Sequence, residues 1–423
     1  MVSIQVPSEK IGLTGEIQHA LLVASQQGLA IEAIELGVSS TQYLQIRTEQ
    51  TVITIGSNLW SCAMDQCDFY VCYGGQDLMQ ADQQYRNLIR INIKDNVSFL
   101  DVWMHPISGE TRALSSNQSE FELDNNNHIS WLVALLSLDF PIEDALTLAR
   151  AKMNVSRETW PAHYSSFPTP ILQHSKLDIN VGWTTEEQLG SFGRLTHDSL
   201  GLYPVVDNVT WVERLLKLGI TTVQLRIKDD QTVDLEQQIA GAIELGRAYQ
   251  AQVFINDHWQ LAIKYNAFGV HLGQEDLEAS NLHQLSQANI RLGLSTHGYY
   301  ELLRIIQLNP SYIALGHIFP TTTKEMPSKP QGLVRLALYQ ALIETIPYQD
   351  ENAVSEGGRD GYPTVAIGGI DLENANDVWQ CGVASLAVVR AITLSENPEL
   401  VVDQFNRLMT QCASKYKEST DAI

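Results

Sequence analysis

Residues Gly201–Asp229 read GLYPVVDNVTWVERLLKLGITTVQLRIKD, and this stretch decides the fold of the second half of the chain. It opens with a short apolar run, Leu202–Val206. Strands covered by helices on both faces read this way, because neither face needs polar residues. The pattern Trp211-Val212-x-x-Leu215-Leu216 follows and sets apolar residues at helical spacing. A second apolar run, Thr222–Leu225, comes next. One strand, one helix and the next strand form a unit that can repeat.

Downstream the unit does repeat. Further runs lie at Val253–Ile255, Gly269–Leu272, Arg291–Leu294, Tyr312–Leu315, Thr364–Ile367 and Ser385–Val388, making eight. Helical patterns separate them, as in Leu302-Leu303-x-x-Ile306 and Leu333-Val334-x-Leu336-Ala337-Leu338. Eight such units predict an α/β fold with a (β/α)8 TIM barrel. A doubly wound open sheet is the alternative, although it does not require eight similar units. The connection Tyr348–Gly361 runs from a helix to a strand, on the barrel face away from catalysis, and reads as a solvent loop.

Upstream, Trp160–Pro170 is rich in Pro and Ser and aperiodic, which marks a boundary. The expected division is a domain over 1–160, a linker over 161–200 and the barrel over 201–415. The first half has strand-like runs at Thr51–Ile55, Phe69–Cys72, Ile89–Ile93 and Phe99–Trp103. It ends in a helix pair, Ile129–Leu138 and Pro141–Met153, so a mixed α/β domain is expected.

The 423 residues suit two or three domains, and 44% hydrophobic with 18% charged residues is a globular mix. The net charge of −22 works against phosphate backbones and anionic lipid, so neither nucleic acid nor a membrane is an expected partner. No stretch approaches the roughly 20 apolar residues of a membrane-spanning helix, and the N-terminus does not read as a signal peptide. Five cysteines without a CxxC fit reduced thiols in the cytoplasm. Cys62, Cys67 and Cys72 recur every five residues, a wider spacing than zinc sites use. The sequence leaves open whether the chain forms a homo-oligomer.

A barrel of this type places its chemistry where strands end. After the second run, Arg226 and Lys228 stand two apart and face one way in extended chain, which suits a phosphate or pyrophosphate as well as rim salt bridges. After the third and fourth runs come Asn256-Asp257 and Asp276; each acid alone reads equally as a helix cap. Together, beside the two cations, Asp257 and Asp276 can hold a hard cation such as Mg2+ along with phosphate oxygens. The fifth run ends in Ser295-Thr296-His297. The sixth leads into His317 and the hydroxyl- and Lys-bearing loop Thr321–Lys324. His297 and His317 are candidate acid–base groups. Gly368-Gly369 follows the seventh run and Val388-Val389-Arg390 closes the eighth, where this fold usually binds phosphate. Two phosphorylated small molecules, one bearing pyrophosphate, account for both sets.

These motifs resemble the thiamine-phosphate synthase family over about 201–412. The matching segments are QLRIKD at Gln224–Asp229, ND at Asn256-Asp257, GVHLGQEDL at Gly269–Leu277 and GLSTH at Gly293–His297. YIALGHIFPTTTK at Tyr312–Lys324 and VAIGGI at Val365–Ile370 complete them. The resemblance implies a transferase of thiamine biosynthesis. Such an enzyme joins 4-amino-2-methyl-5-hydroxymethylpyrimidine pyrophosphate to 4-methyl-5-(2-phosphoethyl)thiazole, giving thiamine phosphate and pyrophosphate. It further implies that Gln224, Arg226, Lys228 and Asn256 hold the pyrimidine substrate, with Ser295 and Lys324 on its pyrophosphate. Asp257 and Asp276 would ligate Mg2+. Thr321, Thr323, Gly369 and the Val388-Val389 backbone would take the thiazole phosphate. Arg390 departs from the family, which commonly has Ser there. Two other readings use the same barrel, a thiazole tautomerase and a non-catalytic thiamine-phosphate sensor. An isomerase has no pyrophosphate to hold, and a sensor predicts losses among the metal and pyrophosphate residues.

The tail of the first half, roughly Ser98 to Trp160, is similar to hydroxymethylpyrimidine-phosphate kinases of the ribokinase-like fold. The likeness rests on FLDVW, HISWLVALLSLDF and IEDALTLARAKMNVS. Those kinases have a Gly-Thr-Gly-Cys anion hole at the helix start, where Asn127-His128-Ile129-Ser130 stands here. Without glycines the backbone does not cup a phosphoryl group in that way. A truncated, degenerate and non-catalytic kinase-like domain is therefore expected.

Overall fold

The computed structural model describes residues 2–74, 86–95, 98–116, 123–181, 192–228, 233–321, 329–348 and 361–420. The chain forms two compact units, Met1–Thr184 with Gly298–Arg304, and Thr185–His297 with Ile305–Ile423. Of the Tyr348–Gly361 connection, all but its two end residues lie outside the described residues.

The first unit is built on a nine-stranded mixed sheet in the order β2-β1-β3-β4-β5-β6-β7-β8-β9. Its strands are β1 Val2–Pro7, β2 Ile34–Ser39, β3 Leu44–Arg47, β4 Val52–Ser57, β5 Phe69–Tyr73, β6 Leu88–Asp95, β7 Ser98–Met104, β8 Thr111–Ser116 and the short β9 Thr169–Pro170. β1–β2, β4–β5 and β5–β6 pair parallel, and the other neighbours pair antiparallel. Its helices include α1 Leu13–Gln26, α2 Asn125–Ser137 and α3 Ile142–Lys152. Asp124 caps α2 by accepting from the backbone N–H groups of Asn126 and Asn127, each at 3.1 Å. Every residue of α2 from His128 onward is buried, so this helix is covered all round rather than on one stripe.

Two buried polar contacts organise this unit. Arg150 on α3 donates from Nε to Oδ2 of Asp101 at 2.7 Å, and from Nη2 to Oδ1. Asp101 also accepts from the backbone N–H of Asn92 at 2.9 Å, at the register shift between β6 and β7. A buried charge pair survives only with such additional bonds. Tyr73 and His128 meet at 2.9 Å between hydroxyl and Nδ1, and burial pushes the imidazole down to about 3.

The second unit is a closed barrel of eight parallel strands. They are β12 Leu202–Val206, β13 Thr222–Leu225, β14 Gln252–Asn256, β15 Gly269–Leu272, β16 Arg291–Thr296, β17 Tyr312–Gly316, β18 Thr364–Ile367 and β19 Ser385–Val388; β10 Gln173–His174 and β11 Ile179–Asn180 form a separate small ribbon before them. Each expected run is a strand, and the first pairs with the last, with Leu202 opposite Leu386. That closing pair excludes the open sheet. Tyr203, Val205, Phe254, Tyr312, Ala314, Val365 and Ala387 pack together as its core. Such a barrel is a filled core and not a pore.

Candidate active site

All barrel strands run in one direction, so their C-terminal ends converge on one end of the barrel. Gln224 is the last residue but one of β13 and is 3% exposed; Leu225 ends the strand and half-buried Arg226 follows, with its backbone N–H held by Val206 O at 2.7 Å. Lys228 is exposed. Asn256 ends β14, and its register partner on β15 is His271. Ser295 lies near the end of β16, half-buried. Thr321 follows β17, Gly369 follows β18, and Val388-Val389 closes β19. Thr323 and Lys324 lie outside the described residues.

Asp257 adopts a left-handed backbone, φ 63°, immediately after β14. Its N–H bonds to His271 O at 3.0 Å, and the N–H groups of His258 and Trp259 turn back to Asn256 O and Asp257 O at 2.7 Å each. Asn256 Nδ2 donates to Asp257 Oδ2. Asp is one of the few side chains that accept this left-handed conformation, and here it turns the chain directly after the strand. Asp276 sits in the first turn of the helix Gln274–Ala279, which follows the adjacent strand β15. The two carboxylates thus belong to neighbouring strand ends. Among the described residues no group of three or more His, Cys, Asp or Glu is arranged to hold a metal ion. Carboxylates at two adjacent strand ends are donors of the kind Mg2+ takes, one or two at a time, with phosphate and water completing its shell.

Gly368 and Gly369 both have positive φ, 102° and 67°. A Cβ on Gly368 would stand 2.4 Å from His317 Cβ, and one on Gly369 2.7 Å from Phe319 Cβ. The doublet therefore also answers a packing need, a turn pressed against the loop after β17. Val388 is buried; Val389 packs against the barrel core, and its carbonyl accepts from Ile392 and Thr393 N–H at 3.1 and 3.0 Å. Arg390 is exposed at the start of the four-residue helix Arg390–Thr393. His317 is buried, which lowers its pKa, with His297 a further cause in the same direction.

Polar side chains also meet inside the barrel, between the strand-end residues Gln224 and Ser295. A line of hydrogen bonds crosses the barrel interior. Gln224 Nε2 lies 3.4 Å from Tyr203 OH, which lies 2.8 Å from Tyr312 OH. Tyr312 OH lies 2.8 Å from His271 Nδ1, and His271 Nε2 lies 2.9 Å from Ser295 Oγ. Gln274 Nε2 donates to Ser295 O at 2.6 Å, and Gln331 Nε2 to Gly316 O at 2.9 Å. These two amides tie the ends of β16 and β17 to the segments that follow β15 and β17. The only hint in the sequence is a polar residue within an otherwise apolar run.

A family model described as thiamine monophosphate synthase matches residues 202–392. A thiamine-phosphate synthase of Proteus mirabilis is 57% identical over 198 residues, which are 47% of this chain and 85% of that protein. One from Yersinia pestis is 52% identical over 214 residues, 51% of this chain and 92% of its own. A solved thiamine phosphate pyrophosphorylase from Pyrococcus furiosus aligns with 51% of this chain and 98% of its own, at 26% identity and a TM-score of 0.42. The first 201 residues lie outside the family match. With more than half of the aligned residues identical over 85% and 92% of two such relatives, and a closed barrel under the matching segment, this chain belongs to the thiamine monophosphate synthase family.

Proposed function

We propose that this protein is a thiamine-phosphate synthase, a transferase that joins 4-amino-2-methyl-5-hydroxymethylpyrimidine pyrophosphate to 4-methyl-5-(2-phosphoethyl)thiazole. The observation that carries the reading is the 57% identity to a thiamine-phosphate synthase over 85% of that relative. The bond from the pyrimidine methylene carbon to the pyrophosphate oxygen breaks, and a bond from the thiazole nitrogen to that carbon forms. Pyrophosphate leaves with the bonding pair.

In this reading Gln224, Arg226, Lys228 and Asn256 bind the pyrimidine pyrophosphate, and Ser295 and Lys324 complete its anion shell. The guanidinium and ammonium groups stabilise charge that grows on the leaving oxygens. Asp257 and Asp276 would hold Mg2+, which supplies further charge neutralisation on the pyrophosphate when bound. Thr321, Thr323, Gly369 and the Val388-Val389 backbone orient the thiazole phosphate. No side chain need act as a nucleophile; the barrel aligns the two reactants and excludes water. Residues 201–415 are the catalytic domain in this reading, and residues 1–160 a non-catalytic kinase-like domain joined to it through residues 161–200.

The experiment is a coupling assay on the purified full-length chain with both substrates and Mg2+, with EDTA as control. Formation of thiamine phosphate that EDTA abolishes is expected. A folded protein that makes none, with either substrate in excess, overturns the reading.

A further inference from the structure

The first unit includes Gly298–Arg304, the segment that begins three positions after Ser295 and carries the chain away from β16. It opens the helix Tyr299–Ile305, whose first intrahelical bond runs from Leu302 N–H to Gly298 O at 3.0 Å. Gly298 thus stands at the N-cap, where a side-chain oxygen usually accepts from the N–H of the second or third helical residue. A glycine has no such oxygen. Asp144 on α3 supplies it: its Oδ1 accepts from Tyr300 N–H at 3.0 Å, across 156 residues of chain. The missing Cβ is what admits the carboxylate, because a Cβ on Gly298 would stand 2.2 Å from Asp144 Oδ2. Asp144 is 3% exposed, and its negative charge meets the positive end of the helix dipole.

The tyrosines of this segment are held in the same unit. The Tyr299 ring stacks on Phe167 with centroids 5.5 Å apart. The Tyr300 ring meets Trp103 of β7 edge-on at 5.4 Å, and the Arg112 guanidinium of β8 lies 5.5 Å from its centroid. Both tyrosines are buried, at 1% and 3% exposed. We infer that Asp144 is a positioning residue for the synthase site: by capping the helix at Gly298 it fixes the chain that leaves β16, and with it Ser295. The link is covalent, through Thr296 and His297. A chain cut near residue 190 would leave the segment without Asp144, Trp103 and Phe167, so the first unit contributes to turnover although it holds no substrate in this reaction. This inference rests on the synthase reading, because that reading puts Ser295 on the pyrophosphate.

Full-length wild type and Asp144→Ala are compared for kcat and for the KM of each substrate. The expected result is a rise of about tenfold in KM for the pyrimidine pyrophosphate, with KM for the thiazole phosphate unchanged. A merely structural role would lower the fraction of active protein, so kcat alone would fall. Asp144→Asn keeps an acceptor oxygen for Tyr300 N–H and should restore most of the wild-type KM. Gly298→Ala sets a methyl group against the carboxylate from the other side. It serves if Asp144→Ala unfolds, and it should raise the same KM. A folded variant in which the pyrimidine KM does not rise selectively overturns the inference. A wild type that forms no thiamine phosphate overturns the synthase reading instead.

Discussion

Gly293 and Tyr312 share one volume: a Cβ on Gly293 would lie 2.2 Å from Cζ of the Tyr312 ring. The two residues are register partners on β16 and β17, so the ring lies across the glycine and fills the barrel interior. Gly293→Ala should destabilise the second unit by roughly 1–3 kcal/mol, the usual result of overpacking a closed core. The displaced ring also carries the hydroxyl that His271 meets. Activity should then fall at temperatures where circular dichroism still reports a folded protein. Unchanged urea unfolding in this variant would contradict the packing argument.

Asp257→Asn keeps a residue type that tolerates positive φ and changes only the charge. If Asp257 holds Mg2+, turnover at fixed Mg2+ should fall by about 100-fold and the Mg2+ titration midpoint should move up. Thermal unfolding without metal should be unaffected. A variant that titrates with Mg2+ like the wild type removes Asp257 from the metal assignment.

The Arg150–Asp101 pair offers a test of the first unit. Asp101→Ala leaves a guanidinium 5% exposed and without its carboxylate. Breaking a buried pair from one side costs about 3–5 kcal/mol. Chemical denaturation followed by the tryptophans of the first unit, among them buried Trp103 and Trp131, should show the loss. Replacing both partners by Met and Leu should recover much of it.

His128 predicts a pH effect. Its imidazole is pushed from 6.5 to about 3 by burial, so above about pH 6.5 it is neutral whether folded or not. As pH falls below that, the unfolded chain binds a proton that the folded unit refuses. Stability is lost at up to about 1.4 kcal/mol per pH unit down towards pH 3. Urea midpoints at pH 7 and pH 5 should therefore differ less in His128→Gln than in the wild type. Equal pH slopes in the two proteins would mean that His128 takes no proton on unfolding.

The barrel was legible because its strands are buried on both faces. Gly269–Leu272 and Ser385–Val388 are buried at every position, so they appear as short, mostly apolar runs. In the first unit β2 alternates half-buried and exposed positions over most of its length, and β3 is four residues long. Neither they nor β1, β8 and α1 rise clearly from the sequence. The strands β4 to β7 and the pair α2 and α3 do. At the site, strand-end residues such as Gln224 and Asp257 were readable because the fold dictates where chemistry sits. Tyr203, Tyr312 and His271 were not, since their line joins three strands through side chains distant in sequence. His271 stands inside a recognisable motif, yet only the fold supplies its partners.

The seam that closes the barrel has a consequence for synthesis. Ser385 Oγ bonds to Gly201 O across 184 residues of chain. While the chain leaves the ribosome from its N-terminus, the first barrel strand waits for the last. Until Ser385 emerges, the growing parallel sheet keeps two unpaired edges and an uncovered apolar interior. Long-range closure of this kind is slow and exposes aggregation-prone edges. Nascent chains stalled before residue 385 should therefore bind chaperones, and release of a few more strand residues should end that dependence.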